Sequence, residues 1–117
     1  MKEQTKKWLE MMDQRSVAHI IERFRQQLLA MGIRPEQFIL FGSQAHGDST
    51  LESDIDLIVI SRDFATKDVR ERLELLGVAA ARILEPIEAF GVTPEEWDRG
   101  EWLFLQEAAK DGLVFTV

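Results

Sequence analysis

The stretch FGSQAHGDSTLESDIDLIV, residues 41–59, decides the fold. Its first residue closes the apolar run 38–41, which stops abruptly at Gly42-Ser43. Its last residues belong to a second apolar run, 55–60. Short apolar runs bounded by small polar residues are typical of buried strands. The stretch therefore predicts two buried strands, with a glycine turn after the first and a polar connection between them.

Two aspartates, Asp54 and Asp56, lie at the start of the second predicted strand. At a spacing of two residues on a strand, both side chains point to the same face, and adjacent carboxylates repel each other unless a cation lies between them. Mg²⁺ prefers oxygen ligands, and two such ions can hold the attacking and leaving oxygens of a phosphoryl transfer. The pair therefore predicts a metal site, although a polar entry to the strand would explain the same two residues.

The Gly42-Ser43 turn supplies the other half of a candidate site. Glycine lets a ligand approach the backbone closely, and backbone N–H groups with the Ser43 hydroxyl can bind an anion. Alone, the turn is better explained as an ordinary strand end. Ten residues separate it from Asp54, and each motif lies at the end of a predicted strand. Together they predict a phosphate-binding turn beside a metal-binding pair.

Helical spacing and capping residues predict the remaining elements of one α/β domain, a small mixed sheet of about four strands with helices packed on it. Ser16 caps a helix that runs to about Met31, and Thr93 starts another through a capping box. Further helices are expected at 69–84 and 102–110, and strands at 87–92 and 113–117. Residues 1–15 are expected to form an N-terminal helical extension of this single domain, 1–117.

Two of the predicted helices carry informative apolar patterns. The helix 69–84 is expected to face the core with one stripe, formed by Val69, Leu73, Leu76, Ala80 and Ile83. The helix 102–110 begins with Trp102-Leu-Phe-Leu105, which is apolar nearly all round. A helix of the second kind is either buried on two sides or presents a surface to a partner.

Composition narrows the classes of partner. The 117 residues include 14 basic and 21 acidic side chains, for a formal net charge of −7. An acidic surface repels nucleic-acid phosphates, so no nucleic acid is expected, whereas a basic protein is attracted. The chain has no cysteine, no apolar run near the roughly 20 residues of a membrane span, and no signal core. We expect a cytoplasmic protein without membrane contact, and a homo-oligomer is compatible with the sequence.

The Gly42-Ser43 turn, the ten-residue spacer and Asp54-x-Asp56 resemble the signature of the polymerase-beta-like nucleotidyltransferase superfamily. Within it, the stretch 41–59 is most similar to the minimal nucleotidyltransferases, the MNT group. The resemblance implies that a nucleoside monophosphate, AMP from ATP, is moved to a hydroxyl acceptor. It also implies two Mg²⁺ ions bound by the aspartates.

The nucleotide side of the resemblance includes a departure from the family. Nucleotide binding is expected at Gly42, Ser43, Gln44 and His46. Many relatives carry arginines after the Gly-Ser and along the spacer, whereas this chain has Gln44 and His46. His46 can still donate to a phosphate when it is protonated. The substitution favours weaker triphosphate binding or a lost activity.

The superfamily supplies a third carboxylate from a later strand, as a metal ligand or as the base that takes the acceptor's proton. Glu88 is the best match, because Ile87 and Ala89 would face the opposite side of the strand. Glu85, just before the strand, is the competing candidate, and Glu88 could instead be a solvent-facing strand residue. The predicted catalytic and metal-binding set is therefore Asp54, Asp56 and Glu88.

The resemblance also implies a partner. Family members of this size are similar to the antitoxin of toxin–antitoxin pairs whose toxin is a helical HEPN protein, and they can modify a tyrosine of that protein. Protein AMPylation is thus the expected activity. A catalytically inactive domain that neutralises its partner by binding alone is the alternative. A small-molecule transferase acting on an antibiotic ranks lower, because such relatives carry an additional helical domain.

Overall fold

A computed structural model of the chain describes residues 16–42, Ala45 and 54–116. The helices are α1 (Val17–Ala30), α2 (Val69–Arg82), α3 (Pro94–Asp98) and α4 (Leu103–Ala108), and a 3-10 helix spans Arg62–Thr66. The strands are β1 (Gln37–Phe41), β2 (Ile55–Ile60), β3 (Ile87–Val92) and β4 (Leu113–Thr116). They form one four-stranded mixed sheet with helices packed on it, which confirms the predicted fold class. The predicted extension, 1–15, lies outside the described residues.

The strand order in the sheet is β3-β2-β1-β4. β1 is antiparallel to both β2 and β4, whereas β2 and β3 are parallel. The connection from β2 to β3 runs through the 3-10 helix and α2, as a parallel pair requires. Because of these directions, the end of β1 and the starts of β2 and β3 meet at one end of the sheet.

The sheet separates two apolar clusters. Side chains alternate along each strand, so one face of the sheet packs on α1 and α2, with Phe24, Leu28 and Phe38 at its centre. The other face packs on α3 and α4 around Ile58 and Leu105. In β2, Leu57 and Val59 face the first cluster, and Asp56 shares the second face with Ile58.

Helices α1 and α3 begin at the capping residues that the sequence predicts. The Ser16 hydroxyl accepts a hydrogen bond from the His19 N–H at 3.4 Å, at the start of α1. Thr93 and Glu96 form the predicted capping box at α3. Gly32, after α1, has a φ of +87°, the left-handed conformation that ends many helices.

The apolar stripe predicted on α2 is wrong in its first half. Val69 is 48% exposed and Leu73 is 44% exposed, whereas Arg72 is buried. The Arg72 guanidinium donates to Gly91 O at 3.1 Å and to both carboxylate oxygens of Glu96, at 2.6 and 3.0 Å. The first turns of α2 therefore face the rim of β3 and a buried ion pair, and only the later turns face the core.

Burial of α4 is one-sided. Leu105 is buried against the sheet, while Leu103 is 70% exposed and Phe104 is 60% exposed. Of the two explanations for the apolar start of this helix, burial on two sides is wrong within the described part of the chain. Across that same part, no helix is long and apolar enough to cross a membrane.

Candidate active site

The polar end of the sheet brings residues from three strands together. Asp56 of β2 lies opposite Phe41 of β1 and opposite Glu88 of β3 in the strand register. Gly42 directly follows Phe41, and Asp54 directly precedes β2. Each of these residues lies where an apolar strand begins or ends, so the core holds their backbone in place while their side chains stay at the sheet's end.

Gly42 lies against the Asp56 carboxylate. A β-carbon built on Gly42 would collide with Asp56 Oδ2. Gly42 also has a φ of +74°, a conformation that L side chains rarely adopt. Only glycine fits both constraints, so the turn and the aspartate predicted as two separate motifs are in direct contact.

Asp56 and Glu88 interact through their side chains. The pKa of Asp56 is raised from 3.8 to about 6, first by burial, then by a hydrogen bond with the Glu88 carboxyl, and then by the negative charges of Glu88 and Asp54. Two carboxyl groups in contact repel each other when both are ionised, which adds to the effect of burial on the pKa of Asp56. A bound cation would relieve the same repulsion.

The two candidates for the third carboxylate have different surroundings. Glu85 accepts a hydrogen bond from Arg23 Nη1 at 2.7 Å in an ion pair. Glu88 is exposed apart from its contact with Asp56, and Asp54 is exposed as well. Glu88 is therefore the glutamate that adjoins the aspartates, whereas Glu85 joins the end of α2 to α1. The catalytic role of Glu88 stays a prediction.

A family model described as a nucleotidyltransferase domain matches residues 19–107, which include both aspartates, Gly42 and Glu88. The chain belongs to the nucleotidyltransferase domain family. A crystal structure from Sulfolobus solfataricus, of a protein proposed to be a nucleotidyltransferase, has a similar fold with a TM-score of 0.52 at 20% sequence identity. The alignment covers 89% of this chain and 88% of that one. No curated protein matches the sequence significantly.

The nucleotide-binding side of this nucleotidyltransferase is described only in part. Gly42 belongs to the described residues, whereas Ser43, Gln44 and His46 lie outside them. Their assignment to the nucleotide stays a prediction. Nucleotide transfer is thus supported by the family.

The donor atoms of the carboxylates suit Mg²⁺, a hard ion that binds oxygen. Among the residues that the structure describes, however, no three His, Cys, Asp or Glu side chains are arranged as a ligand set. The close pair is Asp56 and Glu88, and burial, followed by the contact with Glu88, raises the pKa of Asp56. Two of the three predicted ligands are in contact, and Asp54 acts on Asp56 through its charge.

One feature beside the site was missed by the sequence prediction. Phe90 lies two residues after Glu88 on β3, on the same face of the sheet, and its ring packs edge-on against Phe104 at 6.2 Å. The available signal was the alternation of β3, in which Glu88 and Phe90 share a face while Ile87 and Ala89 face the core. The prediction used that alternation for Glu88 alone.

Proposed function

We propose that this nucleotidyltransferase uses Asp54, Asp56 and Glu88 to bind Mg²⁺ and moves AMP from ATP to a hydroxyl acceptor. The observation that carries the proposal is the contact of Gly42 and Glu88 with the same residue, Asp56. A backbone turn that can receive a phosphate and a carboxylate pair that favours a cation are adjacent, which is what a metal-bound triphosphate requires.

Each residue of the site has its own role in the proposed reaction. The turn at Gly42 leaves room for the triphosphate, with Ser43, Gln44 and His46 as the expected donors to it. Mg²⁺, when bound, supplies neutralisation of the phosphate charge. Glu88 takes the proton of the acceptor hydroxyl, and the oxygen of that hydroxyl forms a bond to the α-phosphorus. The α–β phosphoanhydride bond breaks, and pyrophosphate leaves. Positioning and charge account for most of the catalysis.

We propose that the acceptor is a tyrosine of a HEPN-type protein, which this chain would modify as the antitoxin of a toxin–antitoxin pair. The MNT-like motif and the net charge of −7 support this choice, because an acidic surface attracts a basic, RNA-cleaving protein. A tyrosine hydroxyl on a protein surface also needs no acceptor-binding domain in the enzyme.

The experiment is an incubation of the protein with α-labelled ATP, Mg²⁺ and the HEPN-type protein encoded beside it. Label on the partner is expected with the wild-type chain, and loss of label with chelator or with Asp54→Asn plus Asp56→Asn. Glu74→Gln, which likewise turns one carboxylate into an amide at an exposed position of α2, is the matched control. No label on the partner, with an active transferase run alongside, would refute the proposal.

A second candidate function is neutralisation of the partner by binding alone. Two observations favour it: Gln44 and His46 stand where relatives carry arginines, and no set of three ligands is formed within the described residues. A toxin-neutralisation assay with the Asp54→Asn, Asp56→Asn chain separates the two functions. Unchanged neutralisation supports binding alone, and lost neutralisation supports transfer.

A further inference from the structure

An apolar groove crosses the free edge of β3. Val69 and Leu73 of α2 form one wall, Phe104 of α4 forms the other, and Phe90 and Gly91 of β3 lie between them. Its volume is about 250 Å³. We call this surface the α2–α4 groove. We propose that it docks the acceptor protein, by binding an apolar segment flanked by basic residues beside Glu88, an inference that rests on the proposed function.

The groove is continuous with the candidate active site. Phe90 follows Glu88 by two residues on one face of β3, which is a distance of about 7 Å along a strand. The Phe104 ring contacts Phe90 and Trp102 edge-on, with distances between ring centroids of 6.2 Å and 6.3 Å. A segment that reaches the Phe90 ring is therefore about one side chain's length from the predicted base.

The groove is apolar although its walls are exposed. Phe104 is 60% exposed yet held by two aromatic contacts. The one charged residue in the lining, Arg72, is neutralised by Glu96 in a buried ion pair. Arg72 also donates to Gly91 O at the edge of β3, which leaves that carbonyl less available to an added strand. Docking is therefore expected through side chains.

The apolar area of the groove and the charge around it indicate which kind of molecule binds there. The exposed parts of Val69, Leu73 and Phe104 amount to roughly 300 Å² of apolar surface, in the range of functional patches. That is less than half of the ~800 Å² that each partner buries in a stable interface, so a polar rim must contribute the rest. Residues 94–111 carry six acidic and two basic side chains. A second copy would bring like charges together, whereas a basic partner would gain from this rim.

The test compares Phe104→Glu with Val78→Glu. Val78 is an exposed residue of α2, 45% accessible, that does not line the groove, and both changes add one negative charge on a helix. The probe is a HEPN-type protein from the same genome, the acceptor class that the proposed function names. Its binding to each chain is measured by calorimetry, ATP binding with Mg²⁺ is measured separately, and circular dichroism monitors the fold.

We expect Phe104→Glu to weaken binding of the probe about 30-fold or more, as loss of an interface hot spot does, and to leave ATP binding unchanged. Val78→Glu should bind the probe like the wild type. Equal binding by Phe104→Glu, no binding by the wild type, or a wild-type dimer that Phe104→Glu dissociates would each overturn the inference. Binding that depends on Phe104 but without any AMP transfer would support the groove and refute the proposed reaction.

Discussion

Replacing Asp56 with asparagine is expected to stabilise the metal-free protein. The folded state raises the pKa of Asp56 from 3.8 to about 6, so between these pH values the folded chain binds more protons than the unfolded chain. Stability therefore falls as the pH rises through this interval and stays lower above it. Asp56→Asn removes the charge, and the variant should lose this pH dependence.

The size of the effect follows from the pKa. A change of about two units corresponds to roughly 3 kcal/mol at 1.36 kcal/mol per unit, and partial exposure of Asp56 reduces it, so we expect a gain of about 1–2 kcal/mol at pH 8. In a domain of this size that raises the melting temperature by about 5 °C. Near pH 3.5, where the carboxyl is protonated in both states, the two chains should differ little.

The assay is thermal and urea unfolding of both chains in chelator, from pH 3.5 to 8, with Asp98→Asn as the control for an ordinary surface charge. A second series adds Mg²⁺, which should stabilise the wild type in proportion to its binding and leave the Asp56→Asn chain unchanged. If Asp56→Asn is less stable at pH 8, or equally shifted at every pH, the carboxylates do not repel each other as inferred.

Three other changes test particular contacts. Gly42→Ala should cost about 2 kcal/mol or more in urea unfolding, because its β-carbon collides with the Asp56 carboxylate at a positive φ, and it should also weaken ATP binding in calorimetry. Glu96→Gln should lower the free energy of unfolding by about 3 kcal/mol at pH 7, since it leaves buried Arg72 without its charge partner. Because the pKa of Glu96 is lowered to about 2, the wild type should lose this stability as the pH falls from about 4.5 to 2. Leu84→Gly should raise stability by about 1 kcal/mol in the same assay, because Leu84 is 89% exposed at a φ of +56° and packs on little.

Local sequence predicted the elements that depend on local physics. β2 was placed at 55–60 by its apolar run, and the start of α3 by the Thr93–Glu96 capping box. The contact of Gly42 with Asp56 was expected in outline, because both motifs lie at ends of strands that adjoin along the chain. None of these three inferences needed knowledge of strands that pair far apart in the chain.

The errors and omissions depend on residues far apart in sequence. Arg72 is buried because Glu96, 24 residues later, and Gly91 accept its hydrogen bonds, and no pattern within α2 reveals those partners. The choice between Glu85 and Glu88 depends on the parallel register of β2 and β3, which places Glu88 opposite Asp56. The groove beside Phe90 likewise exists only because α2 and α4 reach the same strand from opposite faces.

The energetics of the carboxylates argue for a ligand at this end of the sheet. Apolar residues such as Ile55, Leu57 and Ala89 provide the buried packing of β2 and β3, whereas Asp56 and Glu88 repel each other and contribute no apolar packing. A domain that acted only by contact through a distant surface would be more stable with neutral residues at both positions. A cation bound between them would offset this repulsion, because its positive charge favours the ionised form of both carboxylates. We therefore expect the pair to lower stability in the metal-free protein and to raise it when a cation binds, and the unfolding series with Mg²⁺ tests that change of sign.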